Sequence, residues 1–215
     1  MKNLVLIGGG GHCKSVLDAA LSMNEFDKIV ITDSDLKPGT RILDCEVVGN
    51  DAMLPQLKDD GFGYAFITVG SIKSCALRKK LAEMAESLEF LFPVIKDPSA
   101  VISEYTKIGE GTFIGKKAVI NADAVIGRHC IINTGSIIEH ECRIGDFVHA
   151  AVGAILCGNV EVEDGCFIGT GTQVIQGISI GRNSVIGAGA VVNKNLPDNC
   201  TAVGVPAKVI KINDK

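Results

Sequence analysis

The 215-residue sequence has no tryptophan, and aromatic residues make up only 5% of it, so large rings do not fill most of its core. Long apolar stretches are also missing. Runs such as residues 4–7 fall far short of the roughly 20 residues that a membrane-spanning helix needs, and the N-terminus lacks the signal-peptide order of charge, apolar core and cleavage site. These absences predict a cytoplasmic protein without membrane insertion. Basic residues are not in excess, 21 Lys and Arg standing against 25 Asp and Glu, which argues against a nucleic-acid partner. None of the eight cysteines, Cys13, Cys45, Cys75, Cys130, Cys142, Cys157, Cys166 and Cys200, stands in a C-x-x-C pair. Neither a zinc ribbon nor a redox dithiol is therefore indicated, and buried, reduced thiols are expected.

Glycine is plentiful, at 25 residues, as suits a chain that turns at regular intervals. The first part of the chain alternates apolar runs at residues 4–7, 29–32 and 65–69 with helical patterns at 13–23 and 76–87. That order predicts an α/β domain with a parallel sheet and crossover helices. Phe92, Pro93 and Pro98 end the rhythm, and the sequence divides into domains 1–92 and 93–215.

From residue 101 an aliphatic residue or alanine recurs every sixth position, from Ile102, Ile108 and Ile114 through Ala150 and Leu156 to Ile186 and Val192. The residue after it is commonly Gly or Asn, and the fourth after it is mostly small. Sixteen hexads in one register predict a triangular coil of short strands, three hexads per turn, with the repeated aliphatic on its axis. At about 4.8 Å per turn the prism stands roughly 25 Å tall. A β-sandwich would show period-two alternation instead.

Two places carry possible chemistry. Gly8, Gly9, Gly10 and Gly11 follow the first strand and precede a helix, an arrangement that lets backbone amides approach a phosphate, although Cys13 replaces the third glycine of a dinucleotide fingerprint. Asp33 and Asp35 end the second strand, where an α/β sheet receives ligands. In the coil, His140 stands between Glu139 and Glu141, and the hexad phase predicts it on the outer surface of a strand as a general base. His129 falls outside this cluster and is expected in solvent. His140 and His149 are nine residues apart with no third histidine in phase, so a metal site is not expected. Cys142, the nearest thiol, is expected to face the interior rather than act as a nucleophile.

The hexads, the segment Leu4-Val-Leu-Ile-Gly-Gly-Gly-Gly-His-Cys-Lys-Ser15 and the closing Gly204-Val-Pro-Ala-Lys208 together resemble the NeuD/PglD-type family of sugar acetyltransferases. The resemblance covers nearly the whole chain. It implies a Rossmann-like N-terminal domain joined to a left-handed parallel β-helix, acetyl-CoA as co-substrate, and a homotrimer with active sites between subunits. It further implies N-acetylation of a nucleotide-linked amino sugar, of the UDP-4-amino-sugar type, in bacterial glycan biosynthesis. O-acetylation of sialic acid is the alternative, and a non-catalytic nucleotide-sugar-binding or structural β-helix protein is the reading from another class. Carried over by residue, His140 is the base, Glu141 the carboxylate that supports it, and Glu139 a possible sharer of that duty. His149 contacts the thioester, with backbone around Gly158, Thr170 and Ala188 along the pantetheine arm. Gly10, Gly11, His12, Asp33, Ser34, Gly70 and Asn133 contact the sugar substrate.

Overall fold

The computed structural model describes residues 1–72 and 74–212, which form two compact units. Unit one comprises Met1–Gly70 and Ala76–Pro98, and unit two comprises Ser71–Cys75 and the chain from Ser99 onward. The division falls after Pro98, beyond the Phe92/Pro93 boundary expected from composition. The reason is β6 (Ile95–Lys96), which packs against the first helix of unit one and keeps Ile95 fully buried. Among the described residues, no helix is long and apolar enough to cross a membrane.

In unit one, β1 (Asn3–Ile7) is an inner strand, with β2 (Lys28–Thr32) parallel on one side and β5 (Phe62–Ile67) parallel on the other. All five residues of β1 are buried, as a strand covered on both faces requires. Helix α1 (Gly11–Met23) directs Cys13, Val16, Leu17 and Ala20 inward, a stripe with the i, i+3, i+4, i+7 spacing of an amphipathic helix. Each large aliphatic so buried contributes about 1.5–3 kcal/mol. Asn24 ends α1 in the left-handed conformation, its N–H donating to the Leu21 carbonyl. Helix α3 (Ala76–Ser87) matches the sequence pattern, whereas the hairpin of β3 (Arg41–Ile42) and β4 (Cys45–Gly49) and the short helix α2 (Leu54–Asp59) are additions the apolar pattern did not signal.

In unit two, sixteen two-residue strands run from Val101–Ile102 to Val191–Val192, and each pairs in parallel with the strand eighteen residues away. Three sheets result, one per side of the prism. From Ile114 to Val192 the repeated aliphatics are buried, as are the small residues four positions on, such as Ala118, Cys130, Cys142 and Ala154. Several of the latter donate to a carbonyl of the next coil, fifteen residues on: Thr112 Oγ1 to Gly127 at 2.9 Å, Cys130 Sγ to Gly145 at 3.0 Å and Cys142 Sγ to Cys157 at 3.2 Å. A thiol there does the work of a threonine hydroxyl. Seven of the eight cysteines are buried thiols outside any disulfide, and Cys157 is partly exposed.

The turns follow a rule that the hexad pattern only partly revealed. The left-handed backbone position lies three residues after the inward aliphatic, at Lys117 (φ 54°), Asp123 (60°), His129 (53°), Glu141 (61°) and Phe147 (57°) among others. The glycines one residue after the aliphatic serve close approach instead. A Cβ at Gly109 would lie 2.5 Å from the Gly127 carbonyl carbon on the next coil. His129 occupies one such turn and is 1% exposed, stacked on Phe147 with ring centroids 4.9 Å apart. The expectation of a solvent-facing His129 is therefore corrected: its column of turn residues brings Phe147 directly over its ring.

After Val192 the chain leaves the hexad register and closes the coil. Cys200–Val203 pairs with Val185–Ile186, and Lys208–Ile212 runs antiparallel along its outer side. The Val191 N–H donates to the Gly204 carbonyl, and the Ala207 N–H donates to the Val191 carbonyl.

Candidate active site

The three sides of the prism differ in what they present outward. The first carries Phe113, Ile131, His149 and Phe167, largely buried; the second carries Val101, Val119, Ile137 and Ile155; the third carries Lys107, Arg143 and Glu161. The edge between the second and third sides holds the acidic cluster.

His140 lies in the turn between Ile137–Ile138 and Arg143–Ile144, a correction to its expected place on a strand. The hexad has two strand residues and four turn residues, and the second residue after the aliphatic falls in the turn. His140 Nδ1 is 3.0 Å from Glu141 Oε2. A carboxylate only accepts, so Nδ1 carries the hydrogen and Nε2 keeps a free lone pair. Glu139 does different work, its Oε2 accepting from the backbone N–H of His140 at 3.2 Å. The backbone is pinned from both sides, with Glu141 N–H on the Ala122 carbonyl and Asn159 N–H on the His140 carbonyl. Gly158 sits one coil above His140, against the imidazole. Burial pushes the Cys142 thiol up to about 11, so it stays protonated and inert near neutral pH.

Asn133, Thr170 and Ala188 belong to the edge between the first and second sides. Thr170 and Ala188 stand on successive coils, the Gly189 N–H donating to the Thr170 carbonyl at 2.8 Å. They share the second side with the His140–Gly158 column but not its edge. The residues expected along the acetyl-CoA arm are thus divided between two edges, Gly158 lying with the base.

His149, expected at the thioester, has both ring nitrogens engaged. Thr134 N–H donates to Asn133 Oδ1 at 2.8 Å, which orients the amide so that Asn133 Nδ2 meets His149 Nε2 at 3.3 Å. His149 Nδ1 then donates to the Ser71 carbonyl at 2.8 Å. The ring stands edge-on to Phe167, with centroids 5.1 Å apart. In this arrangement Nε2 accepts, so His149 is not a ready donor to an oxyanion. It ties the segment Ser71–Cys75 to the coil instead.

In unit one, the loops after β1, β2 and β5 gather at the carboxyl edge of the sheet, where β1 has β2 on one side and β5, reached later in the chain, on the other. Asp33 Oδ2 accepts from Gly9 N–H at 2.6 Å, and its Oδ1 accepts from Asp35 and Leu36, each at 2.9 Å. Burial pushes the Asp33 carboxyl up, but the three amides outweigh it and hold the group below its ordinary value. Asp33 is thus the brace of the glycine loop. Gly8 needs its glycine, having φ 109° and a would-be Cβ 2.7 Å from Val69 Cγ2. Gly10 and Gly11 do not: neither has a left-handed φ and a Cβ would meet open space at both. Ser34 and Gly70 are exposed and His12 is half-buried, with its Cβ 4.0 Å from one built at Gly70. Among the described residues, no group of three or more His, Cys, Asp or Glu is placed to hold a metal ion.

A Rossmann-like sheet followed by a hexapeptide coil with a carboxylate-supported histidine at one edge defines a hexapeptide-repeat acyltransferase. Comparison with known proteins agrees. The PglD N-terminal domain family matches residues 3–85, and the bacterial transferase hexapeptide family matches 105–140 and 159–194. GDP-perosamine N-acetyltransferase from Escherichia coli is 33% identical over 194 residues, which cover 86% of this chain and 84% of that protein. The crystal structure of PerB from Caulobacter crescentus, in complex with CoA and GDP-perosamine, superimposes with a TM-score of 0.92 at 38% identity, covering 98% of each chain. The acetyltransferase domain of PglB from Neisseria gonorrhoeae, in complex with acetyl coenzyme A, gives 0.90 at 33% identity, covering 97% of this chain and 99% of that one. The chain belongs to the NeuD/PglD-type sugar acetyltransferase family, its coil is the left-handed β-helix of that family, and it is an acyltransferase.

Proposed function

We propose that the protein transfers an acetyl group from acetyl-CoA to the amine of a nucleotide-linked amino sugar, with His140 as general base. The observation that carries this reading is the hydrogen bond of His140 Nδ1 to Glu141, which fixes the tautomer and leaves Nε2 free to accept a proton. As the amine nitrogen forms its bond to the thioester carbon, Nε2 takes the proton the nitrogen sheds. The carbon–sulfur bond then breaks, and coenzyme A leaves as the thiol after receiving that proton. Glu141 steadies the imidazolium in between. Backbone amides near Gly158 support the oxyanion, since His149 is committed to Asn133 and Ser71.

Unit one takes the nucleotide handle through Gly10, Gly11, His12, Asp33, Ser34 and Gly70. Two glycines that neither backbone nor packing demands are explained by a ligand that passes close to the chain. The sequence resemblance favours a UDP-linked sugar, whereas two of the relatives named above act on or bind GDP-perosamine, so a GDP-linked amino sugar is the first acceptor to test. The protein acts as a cytoplasmic homotrimer in glycan synthesis. Val119, Ile137 and Ile155 form an apolar ladder on the second side of the prism, between the two edges that divide the site. Turning that side toward a three-fold axis brings the His140 edge of one copy against the Thr170–Ala188 edge of the next.

The test is a mass-spectrometric assay with acetyl-CoA and GDP-, UDP- and TDP-linked amino sugars beside free sialic acids, using the unaltered protein and His140→Ala. Acetylation of one nucleotide amino sugar, with near loss in the variant, is expected. Acetylation of sialic acid alone would replace this reading with O-acetyl transfer.

A further inference from the structure

We infer that Gly158 is the seat of the His140 imidazole, a positioning residue that keeps the base at its working height; this rests on the reading of His140 as the base. A Cβ built on Gly158 would lie 2.5 Å from His140 Cε1, 2.6 Å from Nε2 and 3.2 Å from Nδ1. The ring therefore occupies the space that any other residue at 158 would fill. Backbone conformation gives no separate reason for glycine, because Gly158 is absent from the left-handed positions, which in the neighbouring turn fall on Asn159.

The two residues cannot move apart to make room. Asn159 N–H is bonded to the His140 carbonyl at 2.9 Å, and Gly177 N–H to the Gly158 carbonyl at 3.0 Å. These bonds hold the coils at the inter-strand spacing of about 4.8 Å. Below His140 the same column holds Ala122, whose carbonyl accepts from Glu141 N–H at 3.1 Å. The base thus stands in a column of small residues, Ala122 beneath it and Gly158 above. Among the described residues, the sideways anchor of its ring is Glu141, and the histidine side chain is 53% exposed. With a methyl group at 158 the ring has one way to go, outward into solvent. Doing so breaks the Nδ1 bond to Glu141 and carries Nε2 away from the attacking nitrogen.

Three variants, Gly158→Ala, His140→Ala and the two together, separate this proposal from the reading beneath it. Kinetics with acetyl-CoA and GDP-perosamine as acceptor should show kcat reduced on the order of 100-fold in Gly158→Ala, as for a displacement of about 1 Å, with the KM for acetyl-CoA nearly unchanged. The double variant should be no slower than His140→Ala, because the methyl group then has no ring to displace. Its melting temperature should equal or exceed that of His140→Ala, since alanine restricts the unfolded chain. Full kcat in Gly158→Ala beside an inactive His140→Ala would overturn the seat and leave the base. A raised KM for acetyl-CoA at unchanged kcat would likewise overturn it, showing that the methyl group blocks the co-substrate. Undiminished activity in His140→Ala would remove the base itself.

Discussion

Glu141 is the residue at which the demands of the coil and those of the chemistry oppose each other. It holds φ 61°, in the left-handed region where glycine or asparagine stands in other turns. A glutamate there costs about 1–2 kcal/mol of backbone strain. Replacing it with glycine removes that strain but widens the unfolded ensemble by about 0.5–1 kcal/mol. The ion pair with His140 is lost as well. Because the two side chains are 53% and 63% exposed, it is worth about 0–1 kcal/mol. These changes cancel to within about 1 kcal/mol, and for a chain of this size the melting temperature should move by no more than about 4 °C in either direction. Activity should not be spared. A hydrogen bond to a charged group is worth about 1.5–3 kcal/mol, so kcat/KM should fall roughly 10- to 100-fold as the imidazole loses its fixed tautomer. Steady-state kinetics beside calorimetry on Glu141→Gly and Glu141→Gln measure both effects. The glutamine variant keeps the strained backbone and loses the charge, so it should show reduced activity without any gain in stability. Unchanged kcat/KM in Glu141→Gly would refute the assignment, and a fall in melting temperature beyond about 8 °C would show that the carboxylate is a structural element.

Two further outcomes follow from Cys142 and Asp33. Cys142→Ala should leave turnover unchanged, because a thiol with a pKa of about 11 offers no nucleophile at neutral pH; a loss of kcat beyond tenfold would point to covalent catalysis. The Asp33 carboxyl is held below its ordinary value of 3.8, so its stabilising effect is fully present above that pH and is lost as the pH falls through the lowered value. Thermal unfolding of Asp33→Asn should therefore show a lower melting temperature near neutrality and a flatter decline in acid; acid limbs of equal slope would contradict the bracing role.

The hexad period made the coil legible because one inward aliphatic every six residues is a geometric requirement that few other folds impose. The same period put Cys142 inside, but it set His140 on a strand, whereas the second residue after the aliphatic lies in the turn. It did not reveal His129, because burial there depends on Phe147 in the next coil, eighteen residues away, and a search at period six does not compare columns. Comparison at period eighteen would have paired His129 with Phe147, Ala122 with His140 and His140 with Gly158. The engagement of His149 was not legible either, since its partner Ser71 lies far away in sequence and contributes only a backbone carbonyl. In unit one, β3, β4 and α2 escaped notice because their apolar runs are short and broken by charged residues such as Glu46 and Lys58.

The closing segment after Val192 sets the height of the coil. A stack of parallel strands with an identical repeat has no intrinsic end, because its top coil presents the pairing groups that every coil beneath it has already used. Such a surface would accept the bottom of another molecule and grow into a filament. Gly204 and Ala207 occupy the hydrogen-bonding groups of Val191, and Leu196 bonds to Ser179 and Gly181. The final strand then reverses direction and places Lys208 and Lys211 along the outer edge. A newcomer would therefore meet an antiparallel strand carrying positive charge, where continuation requires a parallel, uncharged one. Polymerisation is stopped by the segment from Leu196 to Ile212, which leaves association to the outer faces of the prism rather than to its end.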